Sequence, residues 1–235
     1  MKHTPARTAA FLSALTALLF CAGCSPAVVL DLAPEGSAKA SFAAEMSPTA
    51  GTLVRRLSGS AGQPEQPLYD RDAITASLAG AGLKPDSLLF PSKTGLSLSV
   101  PLRSVSEIPG SATAYDPEKK RLTVTLSPET VSSIVAVMPA GTRDYLDLLM
   151  APVFTGEKLG APEYEEVLAA AYGKTLAAEL GKSEFSLTVR CPAAVKSASI
   201  TPPGKAVKTG STAAFRIPLA DLLALTGTLS LTAEW

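Results

Sequence analysis

Three cysteines and one histidine are the side chains in this sequence best suited to covalent or metal chemistry at ordinary pH. Cys21 and Cys24 stand three positions apart in LLFCAGC, and Cys191 lies alone far downstream. A thiol can be alkylated, close a disulfide, ligate a metal or, once ionised, attack an electrophile. The histidine is His3, at the start of the chain. Loss of the segment ahead of Cys24 would leave no imidazole, and with it no Ser-His-Asp or Cys-His catalysis and no His-containing metal site. Cys191 falls on the apolar side of an alternating stretch, between Val189 and Pro192, while Arg190 points the other way. A reactive thiolate wants exposure and a cationic neighbour, so Cys191 reads as a small buried hydrophobe.

The other motifs fall short of a site. YGKT and LGKS carry the ending of a phosphate-binding loop, but the glycine required five residues earlier is replaced by Leu168 and Leu176. Lys-Thr-Gly occurs at 93–95 and 208–210, a triplet also used by penicillin-recognising serine enzymes, yet no Ser has a Lys three residues later. Both triplets read as polar turn residues beside strands. EYEE, Glu163 to Glu166, with Asp144 and Asp147 nearby, could suggest acidic ligation. The glutamates open a helix, where the positive end of its dipole accounts for them, and no calcium loop is present. Tyr164, Tyr172, Tyr145, Phe154 and Met150 could line an apolar cavity, but a stripe at helical spacing reads as core. No metal centre and no cofactor is expected.

The segment that holds the first two cysteines has its own logic. It opens MKHTPARTAA, with Lys2 and Arg7 and no acid before Asp31, followed by an apolar run from Ala9 to Phe20. A spanning helix needs roughly 20 apolar residues, and this run is shorter and interrupted by Ser13 and Thr16. Residues 1–23 are therefore predicted to be a cleaved signal peptide. Ala22, Gly23 and Cys24 resemble a bacterial lipobox, whose cysteine sulfur receives a diacylglyceryl group before cleavage. The resemblance implies cleavage between Gly23 and Cys24 and lipid attachment at Cys24, the first mature residue. Cys21 stands where Leu, Val or Ile is usual, a relaxed form similar to spirochaete lipoproteins, and leaves with the signal. The alternative, an ordinary secretory signal, would leave Cys24 as a free thiol in an oxidising compartment. Each buried acyl CH2 contributes about 0.8 kcal/mol, so two or three chains hold the protein to a membrane of the cell envelope. Ser25 replaces the Asp that would resemble an inner-membrane retention signal, and the outer membrane is the expected location.

With residues 1–23 gone, Lys2 and Arg7 are lost, which leaves 19 basic against 21 acidic side chains and a net charge of −2. No basic field exists to neutralise phosphates, and aromatics are 6% of the chain, so nucleic acid is excluded as a partner. At 46% apolar and 18% charged residues the chain is globular, with length for one sizeable core. Acylation of Cys24 leaves Cys191 without a disulfide partner.

These residues need elements to hold them. FSLTVRC alternates Phe185, Leu187, Val189 and Cys191 against Ser186, Thr188 and Arg190; TLSLTAEW and LTVTL repeat the pattern. They read as half-buried strands of antiparallel type. AVVLDL and ASFAAEM flank APEGS as a hairpin, DPEKK is a second hairpin tip, and LSLSVPL, AAFRI and VKSASI add strands. Ser47 and Ser127 each precede a proline and predict helix starts. A helix is predicted over 162–180, with Tyr164, Val167, Leu168, Ala171, Tyr172, Leu176 and Leu180 as its apolar stripe and Gly181 as its stop. Shorter helices are expected at about 143–150 and 71–79, and an exposed loop over 58–67. The expectation is an α+β fold, with antiparallel strands at both ends of the chain packed with a central helical segment. Residues 24–235 form one domain whose β-rich C-terminal part, 183–235, is too small to stand alone.

The run PPGKAVKTG, then FRIPLADLL, then a strand ending at Trp235, looks like the β-rich region of mycobacterial-type lipoproteins. This similarity covers roughly the last 50 residues and implies a β-rich fold but no site. The whole chain resembles small bacterial lipoproteins of uncharacterised function. The expected role is a non-catalytic, lipid-anchored binding or scaffold module of the cell envelope, with the membrane and a protein as partners. It would recognise that protein through a sheet face, edge or loop. The alternative is a carrier of lipid or another apolar ligand in the periplasm, which needs a deep apolar cavity.

Overall fold

The APEGS hairpin begins the larger of two sheets. In the computed structural model, which describes residues 25–57, 66–80, 82–108, 113–136, 147 and 149–235, β1 (Ala27–Leu32) pairs antiparallel with β2 (Ala38–Glu45). Next come β4 (Gly95–Leu102) and the short β3 (Ser87–Leu89), also antiparallel. From the other end of the chain, β7 (Glu184–Arg190), β9 (Lys205–Thr209) and β10 (Thr212–Pro218) make a second antiparallel set. The two sets join along β1 and β7, in the order β3-β4-β2-β1-β7-β10-β9. That seam is parallel, a departure from the antiparallel pairing the sequence led us to expect. Period-two alternation sorts side chains between faces whichever way the neighbouring strand runs, so it carries no directional signal.

The register aligns buried rows across this sheet. Leu98, Phe42, Val28, Leu187 and Phe215 form one row, and Val100, Ala40, Leu30, Val189 and Ala213 the next. Cys191 continues the same face and is buried, as its position in FSLTVRC predicted. The opposite face carries Ser41, Ser97, Thr188 and Ala214, with Asp31 paired to Arg190 at 3.0 Å and Lys39 to Asp86 at 3.1 Å.

A smaller antiparallel sheet has β5 (Thr113–Asp116), β6 (Arg121–Leu126), β11 (Leu229–Glu234) and β8 (Ser197–Ile200) in that spatial order. DPEKK closes the β5–β6 hairpin, as expected. Tyr115 ties the two sheets together. Its ring stacks on Trp235 with centroids 6.0 Å apart, and its hydroxyl donates to the Pro34 carbonyl at 2.7 Å. The ring lies against Gly36, where a Cβ would come within 2.7 Å of it.

Helices pack into the same core as the two sheets. They are α1 (Pro48–Leu57), α2 (Arg71–Gly80), α3 (Pro128–Ala136), α4 (Ala151–Thr155), α5 (Ala161–Tyr172), α6 (Lys174–Lys182) and α7 (Leu219–Leu223). Ser47 and Ser127 cap as predicted, accepting from the Ala50 and Thr130 N–H groups at 3.1 Å each. The helix expected over 162–180 is instead two. Gly173, at φ 98°, breaks it into α5 and α6, a conformation outside the helical region that a side-chain-bearing residue resists. Val167 is 51% exposed rather than part of the buried stripe, and Gly181 lies inside α6, which stops at Ser183. Most of the helix expected at 143–150, and residues 58–65 of the expected loop, fall outside the described residues. The α+β class holds: one buried cluster running from Val28 to Trp235 joins both sheets and the helices.

Candidate functional site

One end of the larger sheet gathers more functional groups than any sequence motif suggested. By register, the start of β1, the end of β2, the start of β4 and the start of β7 all lie there, with Ala27 beside Ala43 and Ser186, and Glu45 beside Gly95. A cleft of about 800 Å³ opens at this end, lined by Glu45, Met46, Pro48, Gly51, Arg55, Arg56, Lys93 and Thr94 among others. Its walls are the end of β2, one side of α1 and the segment leading into β4.

Local hydrogen bonds build those walls. Ser92 Oγ donates to Glu45 Oε1 at 2.5 Å and accepts from the Thr94 N–H at 3.0 Å, while Thr94 Oγ1 donates to the same carboxylate oxygen at 2.9 Å. The Met46 N–H donates to the Thr94 carbonyl at 3.0 Å, which fixes the β2 exit to the β4 entry. Gly95 permits this arrangement, because a Cβ there would collide with the Glu45 carboxylate. Across the cleft, Gly51 brings α1 close to Thr94, whose Cγ2 would be 3.1 Å from an added Cβ. The first turn of α1 is held by Glu179 on α6, which accepts from Ser47 Oγ at 2.5 Å and from Thr49 Oγ1 at 2.9 Å.

Three cations, Arg55, Arg56 and Lys93, therefore share the cleft with one carboxylate, Glu45. Arg55 is only 8% exposed, so its stem belongs to the core and its charge sits at the cleft wall in a medium that screens less than water does. By formal count the lining is positive in a sequence whose net charge is zero. The Ser47, Thr49, Ser92 and Thr94 hydroxyls donate into carboxylates, an arrangement that fixes geometry.

The residues singled out in the sequence lie elsewhere, with one exception. Gly23 and Cys24 fall outside the described residues, and Ser25 is the first described. Lys93 and Thr94 belong to the first Lys-Thr-Gly triplet, read as a polar turn; the triplet does lead into β4, and it also supplies some of the cleft wall. Lys208 and Thr209 of the second triplet end β9, and Gly210 begins the turn into β10. Glu163 accepts from the Gly160 N–H at 2.9 Å, a capping contact at the start of α5, and no cluster of potential metal ligands occurs among the described residues. Tyr164 and Met150 are core, as expected; the Tyr164 hydroxyl donates to the Leu149 carbonyl at 2.5 Å, and burial raises its pKa. Tyr172 is partly buried, while Tyr145 and the Phe154 and Asp144 side chains lie outside the described residues. Burial pushes the Cys191 thiol up to about 11, consistent with an inert residue.

Glu45, Arg55, Arg56, Ser92 and Glu179 went unnoticed in the sequence. Their only linear trace is RR at 55–56, and 132 residues separate Ser47 from its partner Glu179. No family model matches the chain, nor does any curated protein or solved structure.

Proposed function

We propose that the chain is a lipid-anchored module of the bacterial cell envelope, held to a membrane through Cys24 and acting by binding or scaffolding rather than catalysis. The observation that carries this reading is the Ala22-Gly23-Cys24 sequence after a short apolar run, set directly ahead of a strand. Only Ser25 and Pro26 separate Cys24 from β1, and Pro26 is already buried, its carbonyl accepting from the Ser186 N–H at 3.0 Å. Two extended residues reach about 7 Å, so the tether is short and the body stands close to the bilayer. The absence of imidazole after Gly23 supports a non-catalytic role. A protein partner would meet the polar outer face of the larger sheet or a strand edge.

The test is metabolic labelling with a fatty acid. The wild-type chain is expected to take up label and Cys24→Ala to take up none; equal labelling of the two would sink the anchor. Lipid co-purifying stoichiometrically, beyond the attached acyl chains, would instead favour the carrier.

A further inference from the structure

The outer face of the larger sheet is floored by short side chains. Ser41, Val29, Thr188 and Ala214 form one row across it, and Ala43 and Ala27 lie in the row beside. Val29, Ala27, Ala43 and Ala214 stand outside the core that takes up their neighbours in sequence. The exposed large hydrophobics among the described residues are Leu89 at 59%, Val207 at 62% and Val167 on α5. Two of them lie on this face, for the register sets Leu89 beside Ser97 and Val207 beside Ala214. They occupy its opposite margins, on β3 and β9, with β1 midway as the fourth of seven strands.

Such a face complements itself. A two-fold axis running along β1 lays β1 on β1 of a second copy, β2 on β7, β4 on β10 and β3 on β9, so Leu89 of each copy reaches the margin that holds Val207 of the other. We propose that the outer face of the larger sheet packs on the same face of a second copy of this chain, making a homodimer with the two sheets back to back. The inference names the partner in the binding reading above and rests on that reading, not on the anchor. Short side chains over β1 let the sheets close to about 10 Å, and the longer Leu89 and Val207 fill the margins, where twisted sheets diverge. Charge permits the approach: Asp31 is paired with Arg190 at 3.0 Å, Asp86 with Lys39 at 3.1 Å and Glu184 with Arg216 at 3.8 Å, so these six groups bring no net charge to a copy. Six strand spacings of about 4.8 Å, with about six residues along each strand, give roughly 600 Å² per copy; the pair, at about 1,200 Å², reaches the lower end of specific interfaces.

The test is the mass of the acylated full chain by sedimentation equilibrium in density-matched detergent. The wild type should be a dimer. Val29 lies on the axis and meets its own copy, so Val29→Lys and Val29→Glu should each weaken association at least about tenfold by burying two like charges, and an equimolar mixture of the two variants should regain it. Leu89→Ser combined with Val207→Ser, both at exposed positions, should weaken it as well, and this double variant decides the matter if a Val29 variant fails to fold in a thermal melt. Val167→Lys should leave the mass unchanged. A monomeric wild type overturns the proposal. So does a mixture of the two Val29 variants that stays monomeric, or a dimer indifferent to the changes at 29, 89 and 207, which would place association at another surface. A chain that takes up no fatty-acid label is measured without detergent, and the same comparison decides the face separately from the anchor.

Discussion

The fold alters the ionisation of Cys191 and Glu234 in opposite senses. Burial raises the Cys191 thiol from 9 to about 11, so the folded state favours the protonated form. That stabilisation is complete below the unfolded thiol's pKa and is lost as pH climbs from about 9 to 11. Native Cys191 should accordingly react slowly with a thiol reagent at neutral pH and rapidly after denaturation; fast reaction of the native protein would place the thiol at the surface. Glu234 runs the other way. Arg121 Nε donates to one of its oxygens at 2.6 Å and Ser197 Oγ to the other at 3.1 Å, which holds its carboxyl below the usual range. Its contribution is present above the ordinary glutamate pKa of about 4.5 and disappears as pH falls through the lowered folded value. The urea midpoint of wild type should drop more steeply than that of Glu234→Gln between about pH 5 and pH 3. Parallel pH profiles would remove this pair as the cause. Cys191 was legible because a strand's alternation reports which side of the sheet a residue takes. The cleft was not, because Ser92 meets Glu45 across 47 residues and Ser47 meets Glu179 across 132, and no local period records such contacts.

At the level of elements, helix starts and hairpins were readable, and the middle of a helix was not. Ser-Pro pairs encode a cap and a first turn within four residues, so the starts of α1 and α3 needed no tertiary information. Gly173 is different. Leu168, Leu176 and Leu180 all face the core, so the apolar stripe runs on across the break, and one glycine inside a periodic stretch is no certain stop. With φ 98° and ψ 152° Gly173 occupies a region that only glycine visits readily. Nothing lies within 4 Å of a Cβ added there, so the cost of Gly173→Ala is backbone strain, not collision. We expect a loss of about 1–3 kcal/mol in the free energy of unfolding by urea. A neutral or stabilising result would mean the junction relaxes into one continuous helix, which would move α6 and, through Glu179, the first turn of α1.

For the molecule as a whole, the α+β class and the placement of strands at both ends of the chain followed from composition and alternation. The way the ends meet did not. Two antiparallel sets, one from each end, share a parallel seam at β1 and β7, so the first strand is the middle of a seven-stranded sheet. Completing it requires residues about 160 positions apart to pair, and long-range pairing of this kind slows folding. In the proposed anchored form the same strand continues into the tether, and this has a mechanical consequence. A pull on the anchor enters β1 along its own axis, while the bonds to β2 and β7 lie across that line on both sides and must fail together, as bolts do in a lap joint. Stretched between handles at Ser25 and Arg190, the protein should rupture at a markedly higher force than between Lys205 and Arg216, which face each other at the open end of the β9–β10 hairpin and separate bond by bond, as a zip opens. Equal rupture forces for the two geometries would refute this; a higher force along β1 would mean that the proposed joint between protein and membrane is built to bear load.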